Sequence, residues 1–223
     1  MLLKSNGKSL IQKTYENACR CKRFNRLLVA TDSREIFDHV KSFGGEAAMT
    51  SEACPSGSDR LAEAVEKDPS LQKAAAILNI QGDEPELHPE TIEAVAEALL
   101  NEPAADMATA AVRIRSKKEA ENPSCVKCVF DKAGFALYFS RAMIPFGKNG
   151  AYTEEAAYYK HLGIYAYRPI FLIRYAKLPP TPLQKSEDLE QLKALENGHR
   201  IKVVEVPHDS VGVDTHEDLK RLQ

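Results

Sequence analysis

The chain has 223 residues, of which 43% are hydrophobic and 28% charged, and its formal net charge at pH 7 is −2. That length and balance suit one large α/β domain with room for a small lobe, while the slight acidity excludes a general nucleic-acid surface, which needs a net basic face. No apolar run approaches the ~20 residues that span a bilayer, and the N-terminus lacks the apolar core of a signal peptide, so the expectation is a cytoplasmic protein with no membrane insertion.

In chain order, residues 8–21 carry apolar or small side chains at Leu10, Ile11, Thr14, Tyr15 and Ala18, a helical spacing, with Ser9 placed to cap. Residues 26–31 read as a strand. Asp32-Ser33 then opens a helix over 34–43, closed by Gly44-Gly45. A short strand over 46–50 follows, and Ser56-Gly57-Ser58-Asp59 leads into a helix over 60–67. The apolar run before Gln81 reads as a strand over 76–80. Gly82 allows a tight exit there, and Pro85 ends the ladder. Pro89 sits at the start of a helix that runs to about residue 101. Strand, loop and helix thus recur three times in the first hundred residues, the pattern of a parallel sheet with crossover helices.

The second half differs. Residues 107–114 read as a strand, and strands over 127–131 and 135–140 flank Lys132-Ala133-Gly134 as a hairpin. Residues 142–156 form a long loop with no periodic face. A strand over 161–167, a helix over 169–177, a proline-rich break over 179–182, an amphipathic helix over 186–196 and a strand over 201–206 follow. Residues 211–215 then enter a short C-terminal helix over 217–222.

Asp83 and Glu84 fall just past the carboxyl end of a strand, the edge where open α/β sheets bind ligands. The pair reads either as a holder for Mg²⁺ beside a phosphate-bearing substrate or as a solvated turn. Asp214 follows the last strand beside a glycine and a threonine; locally it suits a helix N-cap, and the alternative is a second ligand converging with Asp83 on one ion. The segment Ser56-Gly57-Ser58-Asp59-Arg60 at a helix start offers free N–H groups to an anion, or is an ordinary cap. The five cysteines, Cys19, Cys21, Cys54, Cys125 and Cys128, are scattered and odd in number. Cys125 and Cys128 match CxxC, but no second pair follows at zinc-finger spacing, so structural thiols are expected in preference to a metal or redox site.

Six ordered motifs carry a resemblance: Ser56-Gly57-Ser58-Asp59-Arg60-Leu61-Ala62-Glu63, Asn79-Ile80-Gln81-Gly82-Asp83-Glu84-Pro85, Ala136-Leu137-Tyr138-Phe139-Ser140-Arg141, His161-Leu162-Gly163-Ile164-Tyr165, Glu187-Asp188-Leu189-Glu190-Gln191-Leu192 and Gly212-Val213-Asp214-Thr215. From about Asn6 onward the chain resembles the 3-deoxy-manno-octulosonate cytidylyltransferase, or CMP-KDO synthetase, family. The resemblance implies a Rossmann-like nucleotidyltransferase fold: a mostly parallel sheet flanked by helices, in a single domain with a hairpin-containing dimerisation lobe at about 115–168. It implies a Mg²⁺-dependent transfer in which CTP and the acidic sugar KDO give CMP-KDO and pyrophosphate for lipopolysaccharide synthesis, by a homodimer. Asp83 and Asp214 would hold the Mg²⁺ and be the catalytic pair. Ser56, Gly57, Arg60 and Gln81 would sit at the nucleotide and sugar site, with His161, Tyr165, Glu187 and Gln191 lining the sugar pocket and Ser140 and Arg141 nearby. Without the resemblance, His161 reads as a packed strand histidine, Tyr165 as a core ring, and Glu187, Glu190 and Gln191 as a solvated helix face.

The resemblance also implies a strand and an Ala-Arg-x-x-Ser-x-Arg-x-Pro-Gly-Lys-Pro-Leu loop ahead of what Met1 begins. The strand belongs between those at 26–31 and 76–80, and the loop supplies cations for the triphosphate. The expectation is that the natural protein starts upstream of Met1, and that residues 1–223 turn over CTP slowly. The rival readings are a sibling cytidylyltransferase for another acidic sugar, such as a sialic acid, and a non-catalytic dimerisation or regulatory protein.

Overall fold

The computed structural model describes residues 1–147, 150–210, 212, 213 and 218. It begins with a short hairpin, β1 (Lys4–Ser5) and β2 (Lys8–Ser9), turned by Asn6 and Gly7 at positive φ. Helix α1 (Leu10–Ala18) starts where the Ser9 hydroxyl accepts the Gln12 N–H at 3.2 Å. Strand β3 (Val29–Thr31), helix α2 (Arg34–Ser42) and strand β4 (Ala47–Met49) follow, and Ser33 caps α2 through the Ile36 N–H. Helix α3 (Gly57–Lys67) is capped by Ser56, and the short α4 (Pro69–Gln72) by Asp68. Strand β5 (Ile77–Asn79) leads through the acidic exit into α5 (Pro89–Leu100), whose first-turn proline needs no N–H partner.

The remaining elements are β6 (Met107–Arg113), α6 (Lys117–Glu121), β7 (Lys127–Phe130), β8 (Ala136–Ser140), β9 (Tyr159–Tyr167), α7 (Pro169–Ala176), α8 (Pro182–Glu187), α9 (Leu192–Glu196) and β10 (Ile201–Val206). The hairpin between β7 and β8 forms as expected, with Gly134 at φ +77° and Asp131 accepting the Phe135 N–H at 2.8 Å.

The main sheet runs β10-β6-β9-β7-β8, with β5 also paired to β9. It is a mixed sheet. The expected parallel pairing is confined to β10 with β6 and, in a separate two-stranded sheet, β3 with β4; β9 runs antiparallel to β5, β6 and β7. Long strand β9 lies between β5 and β6, where a purely parallel reading would put them side by side. Alternation along the strands divides the core in two. Ala108, Ala110, Ile164 and Ala166 meet Ile92, Val95 and Leu99 of α5 on one face. Met107 and Tyr167 meet Val65 of α3 and Phe171, Leu172 and Tyr175 of α7 on the other.

Two further expectations change. The helix expected over 186–196 is broken: Asp188 takes a left-handed conformation at φ 52°, ending α8, and α9 starts four residues later. The proline-rich break over 179–182 instead supplies a helix start, with Pro182 in the first turn and the Gln184 side chain accepting the Thr181 N–H at 3.2 Å. Helix α6 was not foreseen; five residues are too short a window for periodicity to register. The C-terminal helix expected over 217–222 lies outside the described residues, apart from Asp218.

Strand β3 pairs with β4 and strand β5 with β9, and the two strands share a cavity of about 820 Å³. Its wall includes Met1, Ile11, Val29, Leu61, Ile77 and Leu78. This gap separates the small sheet from the main one.

Candidate active site

The acidic exit of β5 is held on two sides. Gly82 packs so closely on the N-terminal segment that a Cβ there would lie 2.9 Å from the Met1 sulfur and 3.2 Å from Ile11 Cδ1. Its carbonyl accepts the Thr14 hydroxyl at 2.7 Å. On the other side, the Val213 N–H donates to the Asp83 carbonyl at 2.9 Å. The chain immediately before Asp214 is therefore fixed to the backbone of Asp83, although Asp214 itself lies outside the described residues. Sequence separation of 130 residues is closed here by one hydrogen bond, because β10 lies in the same sheet as β5 and the chain leaves it toward the same edge.

Glu84 is the second carboxylate of this exit. Its carboxyl accepts the Ser210 hydroxyl, and a Cβ on Gly163 would lie 3.6 Å from its Oε1. Burial pushes this carboxyl above its ordinary range, against the lowering effect of the Ser210 hydroxyl. Lys160 anchors the same segment through Asp209 at 2.8 and 2.9 Å and the Ser210 carbonyl at 3.3 Å. Ser210 and Lys160 carry no local sequence signal; only the tertiary approach of the 207–213 segment to β9 gives them this role.

The start of α3 forms the next wall. Gly57, Arg60, Gln81 and Gly82 all line the cavity between β3 and β5, and a Cβ on Gly57 would lie 4.0 Å from Gln81 Oε1. Ser56 caps the helix through the Asp59 N–H at 3.2 Å. Arg60 is engaged by protein: its guanidinium donates to Asp32 at 2.7 Å and to the Thr50 hydroxyl at 2.6 Å. Two other arginines of the cavity wall, Arg23 and Arg26, pair with Glu97 and with Glu46 and Asp68.

Glu190 is the residue here that sequence reasoning passed over as a solvated face. Its two carboxyl oxygens accept the Ser56 hydroxyl at 3.4 Å and the Ser58 hydroxyl at 3.2 Å, and burial raises its pKa against the influence of Lys193. Buried Leu189 and Leu192 on either side were the only available sign that this segment turns inward.

The second group of expected residues is assembled around β9. The Tyr165 hydroxyl donates to Gln191 Oε1 at 3.3 Å, and Gln191 Nε2 is buried with no hydrogen-bond partner among the described residues. Desolvation raises the Tyr165 phenol well above its usual range. His161 is buried, with Nε2 3.0 Å from the Thr109 hydroxyl and its ring edge-on to Phe139 at 5.0 Å. Desolvation lowers its pKa to about 3, so the ring is neutral. Glu187 gathers its neighbours: it accepts the Ser140 hydroxyl at 2.7 Å and the Arg141 N–H at 2.9 Å, while its own carbonyl accepts Arg141 Nε at 2.8 Å. Burial opposes its ionisation, but these donors outweigh it and hold the carboxyl below its usual range. The structure thus brings Tyr165 and Gln191 together, and Ser140, Arg141 and Glu187 together, while Gly57, Arg60 and Gln81 line the cavity, Asp83 stands at the β5 exit, and Ser56 caps α3 beside Glu190.

The five cysteines are free thiols; Cys125 and Cys128 are buried, and burial pushes the Cys128 thiol up to about 12. No helix among the described residues is long and apolar enough to cross a membrane.

A carboxylate at a strand exit of a mixed α/β sheet, beside a capped helix start, stands where such sheets bind ligands, and the comparisons put the chain among the nucleotidyltransferases. A solved structure of 4-diphosphocytidyl-2C-methyl-D-erythritolsynthase from Anaerococcus prevotii shares this fold, with a TM-score of 0.62 at 12% identity over 98% of this chain and 89% of that one. A family model described as cytidylyltransferase matches residues 1–201. The 3-deoxy-manno-octulosonate cytidylyltransferase of Protochlamydia amoebophila is 52% identical over 217 residues, 97% of this chain and 84% of that protein. The protein of the same name from Chlamydia pneumoniae is 43% identical over 222 residues, 100% of this chain and 85% of its own length. A solved structure of CMP:2-keto-3-deoxy-manno-octonic acid synthetase complexed with CTP superimposes with a TM-score of 0.91 at 39% identity, covering 99% of this chain and 88% of that chain. The chain belongs to the 3-deoxy-manno-octulosonate cytidylyltransferase family of cytidylyltransferases.

Proposed function

We propose that this protein transfers CMP from CTP to KDO, giving CMP-KDO and pyrophosphate for lipopolysaccharide biosynthesis, as a cytoplasmic homodimer. The observation that carries the reading is 52% identity over nearly the whole chain to a relative named for this activity. In the reaction a hydroxyl oxygen of the sugar bonds to the α-phosphorus of CTP, the bond from that phosphorus to the β-phosphate breaks, and the hydroxyl proton is released.

Asp83 and Asp214 would hold Mg²⁺. Carboxylate oxygens are the hard donors this ion takes, and the Val213–Asp83 hydrogen bond supports their convergence. When bound, the ion neutralises phosphate charge and orients the phosphate and the attacking hydroxyl. The chain's own residues set the frame. Thr14 and Val213 fix the backbone around Asp83 from both sides. Gly57 and Gln81 present backbone and amide groups to the cavity, where no Cβ at position 57 obstructs the helix start. Gln191, with an unpartnered buried amide nitrogen, offers a donor for a sugar carboxylate or hydroxyl beside Tyr165.

The test is pyrophosphate release with CTP, KDO and Mg²⁺, run beside sialic acid as the rival sugar. Asp83→Asn is expected to lower kcat by about 10²–10³-fold, the scale of removing one group that stabilises transition-state charge, and chelation of Mg²⁺ to abolish turnover. Full activity in Asp83→Asn, or turnover with sialic acid in place of KDO, overturns the assignment.

A further inference from the structure

We propose that His88, Glu90 and His208 form a binding site for a borderline divalent metal ion of the zinc class, which staples the β5 exit to the 207–213 segment. The three side chains offer ligand atoms that all lie within 4.8 Å of one another, the one such group of His, Cys, Asp or Glu among the described residues. Glu90 Oε2 is 3.6 Å from His208 Nε2 and 3.9 Å from His88 Nδ1. Ligands of a tetrahedral zinc site, with bonds of about 2.0–2.2 Å, stand about 3.3–3.5 Å apart, so the two carboxylate–imidazole spacings need to close by only a few tenths of an ångström, and the imidazole–imidazole spacing, within 4.8 Å, by at most about 1.5 Å.

The second observation is His88 itself. Its Nδ1 is shielded from solvent and makes no hydrogen bond among the described residues, although buried ring nitrogens ordinarily find a partner. Nor does it serve the helix it precedes: His88 is the N-cap residue of α5 and makes no side-chain cap bond. A lone pair sequestered in this way, beside a carboxylate and a second imidazole, suits a metal ligand. The two imidazoles stack, with centroids 4.0 Å apart and planes 22° from parallel. Coordination turns His208 about its own side-chain bonds until both lone pairs meet one ion; its side chain is 45% exposed.

Two imidazoles and one carboxylate select zinc-like ions over Mg²⁺, which requires hard oxygen ligands in near-octahedral array. The site is therefore chemically separate from the pair of aspartates proposed to hold Mg²⁺. Its position gives it a consequence. His88 ends the loop that begins at Asp83, and His208 opens the segment that donates from Ser210 to Glu84 and from Val213 to Asp83. An ion shared by His88, Glu90 and His208 adds a third tie between these two stretches, next to the existing two.

Titration calorimetry of chelator-stripped protein with Zn²⁺ alone is expected to give one ion per chain. His88→Ala and His208→Ala should each weaken binding at least tenfold, whereas His199→Ala, whose imidazole pairs with Asp106, should leave it unchanged. Co²⁺ should give visible d–d bands of tetrahedral intensity that Zn²⁺ bleaches and Mg²⁺ does not. Zinc should also slow hydrogen exchange at the Val213 amide. Both histidines are partly exposed, and far-UV circular dichroism confirms that the variants remain folded. Absence of Zn²⁺ binding, equal affinity in parent and both variants, or displacement by Mg²⁺ would each overturn the proposal.

Discussion

Replacing His161 with glutamine isolates one buried titration from all the others. The imidazole is enclosed between Phe139 and Tyr165, and its Nε2 meets the Thr109 hydroxyl at 3.0 Å. Burial lowers its pKa from 6.5 to about 3 in the folded protein. Between those values the unfolded chain binds a proton that the folded chain does not, so stability is fully present above pH 6.5 and is lost as the pH falls toward 3. The slope is about 1.4 kcal/mol per pH unit, which makes the loss attributable to His161 about 2 kcal/mol between pH 7 and pH 5 and about 4 kcal/mol by pH 3. Glutamine places a neutral nitrogen near the position of Nε2 and does not titrate. Urea unfolding at pH 7 and pH 5 measures the difference: whatever His161→Gln costs at pH 7, its stability should fall by about 2 kcal/mol less than the parent's on going to pH 5. Parallel pH profiles for the two proteins would refute the claim that this ring is held neutral by desolvation.

Lys127 is fully buried and donates to the carbonyls of Asn122, Cys125 and Arg141 at 2.8, 2.6 and 2.6 Å. Lys127→Met should cost about 3 kcal/mol or more, since orphaned buried acceptors cost about 1–3 kcal/mol each and relief of the buried charge returns part of this. A urea-midpoint change worth less than about 1 kcal/mol would show that the carbonyls find other donors. Phe146 is 77% exposed and Leu137, on β8, is 62% exposed. If this lobe carries the homodimer contact, Phe146→Asp should shift the sedimentation profile toward monomer at micromolar concentration, and an unchanged profile would place the contact elsewhere.

The sequence by itself determined the local elements whose causes are local. Ser9, Ser33 and Ser56 cap the helices they precede, Gly134 turns the β7–β8 hairpin, and Asp83 follows β5, because a hydroxyl three residues from an N–H or a glycine at positive φ needs no distant partner. Family membership was legible too, since six spaced motifs survive in order. What only the tertiary structure decided are matters of which distant residues meet. Strand β9 inserts antiparallel between β5 and β6, Asp188 breaks an apparently continuous helix, and Glu190 turns inward to two serine hydroxyls. His161 is sealed in the core and Arg60 is claimed by Asp32. The segment ahead of Asp214 is tied to Asp83 across 130 residues of chain by a backbone hydrogen bond, which no side-chain pattern encodes. Periodicity records which face of an element is apolar. It carries no record of which other element covers that face, and the site is built from those pairings.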